Sequence, residues 1–234
     1  DVDNGSNIKG LQVASNSSRI GFKGSEDLGG GLKAIWQIET GVNLDEKNGN
    51  TWAGRNSYVG LSGGWGTFLA GKHDTPVKSI SRKYDPFGDT IMDARAIMGS
   101  NTAGANRFNL RTNNTVAYIS PSWSGFQLIA AYVADATDND SGESDPDGKA
   151  ASGSIGYANG PFSAHLGYEW HDQLAGDDQL FRAGASYKFG AFKLGAAVEK
   201  GNKSVDRWAG NVFGTYDFGN NTLKAQLVKA QETN

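Results

Sequence analysis

The sequence lacks several features that define common classes of protein. It contains no cysteine among its 234 residues, which excludes disulfide frameworks and thiolate metal sites. No stretch reaches the roughly 18–20 consecutive apolar residues of a membrane-spanning helix, which excludes a helical membrane protein. The chain also has no basic run and carries a formal net charge of -3, so nucleic acid is not expected as a partner.

Motifs of catalytic sites are also missing. Among the three histidines, His165 shares a face of a predicted strand with Glu169. Four residues along a strand separate two side chains by about 13 Å, which is too far for a hydrogen-bonded catalytic pair. No serine-nucleophile, zinc-hydrolase or phosphate-binding motif occurs. The sequence therefore predicts a protein that is not an enzyme and that needs no cofactor.

Instead, the sequence has a two-residue periodicity along nearly all of its length. In residues 162–170, Phe162 and Trp170 share one face with other apolar residues, while His165 and Glu169 lie on the opposite face. We predict twelve such strands, near residues 17–26, 32–43, 55–62, 66–74, 111–120, 126–135, 150–158, 162–170, 179–189, 191–199, 207–218 and 222–231. The sequence therefore predicts an all-β protein.

The connections between the predicted strands alternate in length. The short ones lie at 27–31, 63–65, 121–125, 159–161, 190 and 219–221, and the long ones at 44–54, 75–110, 136–149 and 171–178. Short turns at one end and long loops at the other are typical of an antiparallel up-and-down β-barrel that spans a membrane. The alternation therefore favours this architecture.

Aromatic residues mark both ends of several predicted strands on the apolar face. Strands of eight to ten residues, at about 3.3 Å each and tilted by about 45°, span roughly 19–23 Å, close to the apolar band of an outer membrane. We therefore predict that seven rings face outward: Trp36, Phe162, Trp170, Phe181, Phe189, Trp208 and Phe218. The alternative is a soluble β-sandwich, which buries one face of the same alternation.

The connection at 75–110 is far longer than an ordinary loop, so it is either functional or disordered. It interleaves apolar residues such as Tyr84 and Phe87 with charged residues such as Arg82 and Asp85. A loop folded into the lumen of a barrel offers such apolar residues a surface to pack on, and it narrows the channel. An external loop with some local helix is the alternative.

Three parts of the sequence carry a resemblance to a known family. They are SRIGFKGSEDLGGGLKA at 18–34, RNSYVGL at 55–61 with WGTFLAGK at 65–72, and NTVAYISP at 114–121. These runs resemble, in order, the general porins of Gram-negative bacteria. The resemblance implies a sixteen-stranded barrel in the outer membrane, a homotrimer, and a third external loop folded into the pore. We therefore expect residues 1–234 to form one barrel domain whose terminal strands are missing.

The resemblance also implies a function. A general porin is a passive diffusion channel for small hydrophilic solutes and ions, and it is surrounded by the lipid bilayer and lipopolysaccharide. A substrate-selective channel is the alternative. However, a sugar channel needs an aromatic ladder inside the lumen, whereas nearly all aromatic residues here share the apolar face.

The charged residues of the pore constriction follow from the same resemblance. The predicted set is Arg19, Lys23, Arg55, Lys72, Arg82, Asp85, Asp89 and Asp93. Arg19 matches a wall arginine of the family and shares its face with Lys23, while Asp85 and Asp89 resemble the acidic tip of the loop. An inward direction for Lys72 requires a bulge near Gly71, because its position in the alternation is on the apolar face.

Two features leave open whether the net charge of the constriction is positive or negative. Ala117 occupies a position where many relatives have arginine, and the loop carries basic residues of its own, among them Arg82. The balance leans towards a weak preference for anions. A further acidic run at 135–147 has oxygen ligands of the kind that Ca²⁺ binds, but not in the EF-hand order, so we expect a solvated external loop and no metal site.

Overall fold

The computed structural model describes residues 17–42, 52–99, 108–134, 148–172 and 177–231. This part of the chain forms twelve strands, namely β1 (Arg19–Gly29), β2 (Leu32–Gly41), β3 (Ser57–Gly63), β4 (Gly66–Asp74), β5 (Arg111–Ile119), β6 (Phe126–Val133), β7 (Ala150–Asn159), β8 (Phe162–His171), β9 (Asp178–Phe189), β10 (Phe192–Gly201), β11 (Trp208–Phe218) and β12 (Asn221–Ala230). One helix, α1 (Pro76–Lys83), and the 3₁₀ turns Ala94–Ala96 and Lys203–Val205 complete it. The predicted all-β class and its strands are confirmed, with bounds shifted by a few residues.

All twelve strands belong to one antiparallel sheet in chain order, each paired with the next. The hairpin turns after β7, β9 and β11 begin with Gly160, Gly190 and Gly219, whose φ angles of 55°, 60° and 56° lie in the left-handed region. Glycine adopts this region without strain, and tight hairpin turns require it. The short turns all lie at one end of the sheet, as the up-and-down arrangement predicts.

The sheet curves so that its first and last strands approach each other. Arg19 on β1 contacts Asp89 at 3.4 Å, and Lys224 on β12 donates to the Pro86 carbonyl at 2.9 Å. Pro86 and Asp89 are three residues apart, which is at most about 10 Å of chain. In a flat sheet, twelve strands place the outer two about 53 Å apart. The strands therefore wrap around the segment that contains Asp89, as in the wall of a barrel.

The two faces of the sheet differ as the alternation predicts. Six of the seven rings predicted to face outward are exposed by 40–54%, and Trp170 is half-buried. At the short-turn end, outer rings contact each other across strands, for example Phe192 with Tyr216 at 4.4 Å between centroids. A sandwich buries such rings between two sheets, so their exposure excludes the soluble alternative. No helix in the described residues is long and apolar enough to cross a membrane.

The hydrophobic core lies inside the curved sheet. Ile80, Tyr84 and Met98 pack there against Ala197 and Phe213 of the inner face. Phe213 interrupts the polar face of its strand in the sequence, and this packing explains why an aromatic residue stands there.

Candidate functional site

The segment between β4 and β5 begins with helix α1, which lies against the inner face of β6, β7, β8 and β9. Thr75 is the N-cap residue, its side chain accepts from the Lys78 amide at 3.3 Å, and Pro76 follows in the first turn. Val77 and Ile80 are buried on the wall side of the helix, whereas Ser79 is exposed. Local helix was expected here only in the external-loop alternative and without bounds, although a threonine followed by proline is a recognised helix start.

A buried ion pair on the wall holds both ends of the segment. Arg182 and Glu199 are 0% and 1% exposed and lie 2.6 Å apart. Arg182 also donates to the Val77 carbonyl at 2.9 Å and to Asn109 Oδ1 at 3.1 Å. Glu199 accepts from the Gly99 amide at 2.5 Å. The two charges pair with each other, and the segment supplies their further hydrogen-bond partners, which fixes the segment against β9 and β10.

Asp85 and Asp89, predicted together as the acidic tip, have different roles. Asp85 is buried, and its two oxygens accept from the Phe87 and Ala94 amides at 2.9 and 2.8 Å. Burial raises the pKa of the Asp85 carboxyl above its usual range. Asp85 therefore closes the turn of the tip from within, and Asp89 is the tip acid that reaches Arg19 on the wall.

Three guanidinium groups converge on Asp89. Its carboxylate lies 3.4 Å from Arg19, 2.7 Å from Arg82 and 3.0 Å from Arg95. The Asp89 amide donates to Asp93 at 2.9 Å, and Asp93 in turn pairs with Arg95. Burial acts to raise the pKa of Asp89, but the charge and hydrogen bond of Arg82, followed by those of Arg95, outweigh it and leave the pKa below its usual range.

The network continues from the tip into the wall through Glu39 on β2. Glu39 accepts from Arg55 Nε at 2.8 Å and lies 3.9 Å from Arg19 Nε. Neither Glu39 nor Arg95 belongs to the predicted set. Glu39 had a signal in the sequence, because it lies on the polar face of the strand that follows Arg19.

The two predicted lysines lie on β1 and β4. Lys23 is exposed and shares the face of Arg19. Lys72 lies opposite Ser57 in an unbroken register with β3. The nearby irregularity falls in the pairing with β5, where Thr115 and Thr112 pair with β4 residues that are two apart. The extra residue is therefore in β5, opposite Lys72. Gly71 has a φ of 144°, and Asp74, two residues after Lys72, is buried and pairs with Lys78 of α1 at 2.9 Å. The alternation of β4 is thus interrupted beside Lys72, and the inward direction of Lys72 stays a prediction.

The resulting site combines four guanidinium groups with three carboxylates between the wall and the tip. Its members are Arg19, Arg55, Arg82, Arg95, Glu39, Asp89 and Asp93. Acids and bases alternate through the network, rather than standing on opposite sides of a gap. Partly exposed charges of this kind set up a strong local field that acts on passing ions and dipoles. The acidic run at 135–147 and residues 100–107 lie outside the described residues.

A curved antiparallel sheet with an apolar outer face, a charged inner face and short turns at one end defines the outer-membrane class of transmembrane β-barrel. The family model of the Gram-negative porins matches residues 1–234, and the chain belongs to this family.

Known relatives agree with this assignment. Outer membrane porin protein 32 of Delftia acidovorans is 34% identical over 194 residues, which are 79% of this chain and 54% of that protein. An outer membrane porin protein of Bordetella pertussis is 32% identical over 224 residues, or 87% of this chain and 55% of that protein. The chain thus spans about half the length of the curated relatives it matches. Members of this family lie in the outer membrane of Gram-negative bacteria, and we assign the chain to that membrane.

A solved structure supports the fold. The anion-selective porin from Comamonas acidovorans is 29% identical and superposes with a TM-score of 0.74, covering 95% of this chain and 72% of that one. The match extends over nearly all of the chain, so it includes strands on both sides of the infolded segment.

Proposed function

We propose that this protein is a passive diffusion channel for small hydrophilic solutes and ions. Residues 1–234 then belong to one barrel domain, and residues 75–110 narrow its lumen. The observation that carries the proposal is the contact of one short segment with both Arg19 on β1 and Lys224 on β12. A segment that bridges strands from within leaves less room for solutes, so the narrowest part of the path lies beside it.

The charged residues beside this segment favour anions weakly. Four guanidinium groups outnumber the three carboxylates of the network. A surplus of fixed positive charge raises the local concentration of anions. The related porin from Comamonas acidovorans is described as anion-selective, which agrees with this sign. Of the predicted residues, Arg19, Arg55 and Arg82 carry the effect, Asp89 and Asp93 reduce it, and Lys23 adds to it from the face of Arg19.

The reversal potential in a salt gradient across a planar bilayer tests the proposal. Arg19→Gln should shift it towards cations, because one fixed positive charge beside the path is lost. Lys200→Gln is the matched control, since Lys200 on β10 pairs with exposed Asp206 at 2.5 Å and, within the described residues, forms no ion pair with a member of the network. Lys72→Gln, measured separately, tells whether that ammonium group faces the lumen. An unchanged reversal potential in Arg19→Gln would contradict the assignment.

A substrate-selective channel predicts a different result. Its flux saturates and depends on the identity of the solute, because a binding site must be occupied before transport. We expect flux that rises linearly with concentration and falls with solute size. Liposome-swelling rates for uncharged sugars of increasing mass distinguish the two.

We further propose a homotrimer in the lipid bilayer with lipopolysaccharide around it, on the basis of the family resemblance. Ile20, Phe22 and Val59 are 53%, 55% and 64% exposed on the outer face of β1 and β3, and a partner copy or lipid covers such residues. Light scattering in mild detergent should give three times the mass of one chain. The mass of a single chain would contradict the trimer.

A further inference from the structure

A second charged feature lies on the inner face of β9 to β12, close to the short turns. Lys188 pairs directly with Lys193, Lys193 pairs with Thr215, and Thr215 pairs with Lys224. These four residues form one row across four neighbouring strands. Lys188 shares its face of β9 with Arg182, which points inward to the segment. We call Lys188, Lys193 and Lys224 the lysine row.

The lysine row departs from the usual arrangement of charges in a sheet. Like charges placed directly opposite each other across two strands repel and destabilise the pair. One carboxylate offsets part of the charge, since Asp217 lies 3.3 Å from Lys188 Nζ. Both side chains of this pair are about half exposed, at 55% and 45%, so solvent reaches it.

The other two lysines of the row contact neutral groups. Lys193 Nζ lies 5.8 Å from the centre of the Phe213 ring, and Lys224 donates to the Pro86 carbonyl. A fourth ammonium group, that of Lys83 at the end of α1, lies near them. Burial lowers the pKa of Lys83, and the charge of Lys193 lowers it further, which means that the two cations share one region. Several positive charges therefore meet around one carboxylate.

We propose that the lysine row, together with Lys83, is a binding site for multivalent oxyanions at the short-turn mouth of the channel. Neighbouring strands are about 4.8 Å apart, so Lys188 and Lys193 suit two adjacent anionic groups, and Lys224 lies about 10 Å beyond Lys193. A solute with two or more phosphate or carboxylate groups matches this spacing better than a single chloride. The inference rests on the proposed channel function, because the solute must enter the lumen to reach the row.

The matched variants are Lys193→Gln and Lys33→Gln. Lys33 is the second residue of β2 and Lys193 the second residue of β10, and both follow a short turn. They differ in their cross-strand neighbours, because Lys33 lies opposite Asp27 whereas Lys193 lies opposite Lys188. Each variant removes one positive charge from the same level of the wall, so a general effect of charge is the same in both.

The experiment is isothermal titration of the purified protein in detergent with inorganic pyrophosphate, followed by pyrophosphate block of the current in planar bilayers. We expect Lys193→Gln to weaken binding about fivefold, to raise the blocking concentration in parallel, and Lys33→Gln to change neither. Equal pyrophosphate affinity in Lys193→Gln and the unmodified protein would overturn the site, as would equal losses in both variants. Binding that depends on Lys193 in a protein that carries no current would support the site and contradict the channel.

Discussion

Asp89 is the residue on which the candidate constriction depends most. Its carboxylate binds Arg19 from the wall and Arg82 and Arg95 from its own segment. Two acids lie four residues apart in this turn, and the resemblance placed both at the tip. Asp85 instead accepts two backbone amides. The sequence shows which residues are acidic, but the direction of each carboxylate depends on which amides the turn leaves unpaired.

Replacement of Asp89 by asparagine should shift the reversal potential towards anions. The change removes one negative charge and leaves the three guanidinium groups, so the local concentration of anions rises. Asp206→Asn is the control, because Asp206 is an exposed acid that pairs with one base, Lys200, rather than with the three guanidinium groups that contact Asp89. A shift of the same size in both variants would contradict a special role for Asp89.

The effect of Asp89→Asn on the reversal potential should depend on pH, because it depends on the pKa values of the carboxyl groups in the network. Burial acts to raise the pKa of Asp93, but its hydrogen bonds with Arg95 and the Asp89 amide outweigh it and lower the pKa to about 2. The pKa of Asp89 is also lowered. Groups with lowered pKa values stabilise the fold above the unfolded value of about 3.9 and lose this effect as pH falls through the folded value.

The difference in reversal potential between Asp89→Asn and the unmodified protein should therefore persist from pH 7 to about pH 4 and vanish at lower pH. The same bilayers, measured at stepped pH, provide the check. Loss of the difference between about pH 6 and pH 5 would show that the pKa of Asp89 is raised above the usual value of about 3.9, and it would contradict the lowered pKa.

At the scale of elements, the buried pair of β9 and β10 holds the segment against the wall. Removal of one partner of a buried ion pair leaves the other charge without compensation, at a loss of about 3–5 kcal/mol. We expect Arg182→Met to lower the free energy of unfolding by this amount. Lys188→Met on the same strand removes an exposed pair with Asp217 and should change it by less than about 1 kcal/mol. Denaturant unfolding in lipid vesicles measures both, and similar losses would contradict the anchoring role.

The segment between β4 and β5 also requires a glycine in the barrel wall at the point of closest contact. A methyl group added at Gly184 would overlap the ring of Tyr84, whereas one added at Gly153 has no neighbour closer than 3.7 Å. Overpacking of this kind costs about 1–3 kcal/mol. Gly184→Ala should therefore destabilise the protein and increase the noise of the open-channel current, and Gly153→Ala should do neither. Quiet currents in Gly184→Ala would indicate that Tyr84 does not hold the segment.

The elements differ in how far their sequences predict them. Most strands alternate apolar and polar residues over eight or more positions, so the two-residue period alone identifies them. Helix α1 has eight residues, about two turns, and its stability comes from packing on the wall rather than from its own propensity. The Arg182–Glu199 pair was within reach of prediction, because counting outward from the turn at Gly190 places the two residues opposite each other.

At the scale of the whole molecule, the sequence predicted the all-β class and the order of the strands. The alternation of short and long connections carries this information. Curvature is different, because it depends on contacts between distant residues, such as Arg19 with Asp89 and Lys224 with Pro86. No local pattern contains these contacts. The resemblance to the porins supplied the expectation of an infolded segment, and the amino-acid pattern of 75–110 alone left it open.

The most direct test of the central proposal is the labelling of a single cysteine on α1. These 234 residues contain no cysteine, so Ser79→Cys introduces one thiol on the exposed side of the helix. Ala185→Cys, exposed on the outer face of β9, is the control. We predict that a negatively charged methanethiosulfonate reagent lowers single-channel conductance in Ser79→Cys and leaves Ala185→Cys unchanged. Unchanged conductance in Ser79→Cys, with labelling verified by mass spectrometry, would contradict a permeation path beside the infolded segment.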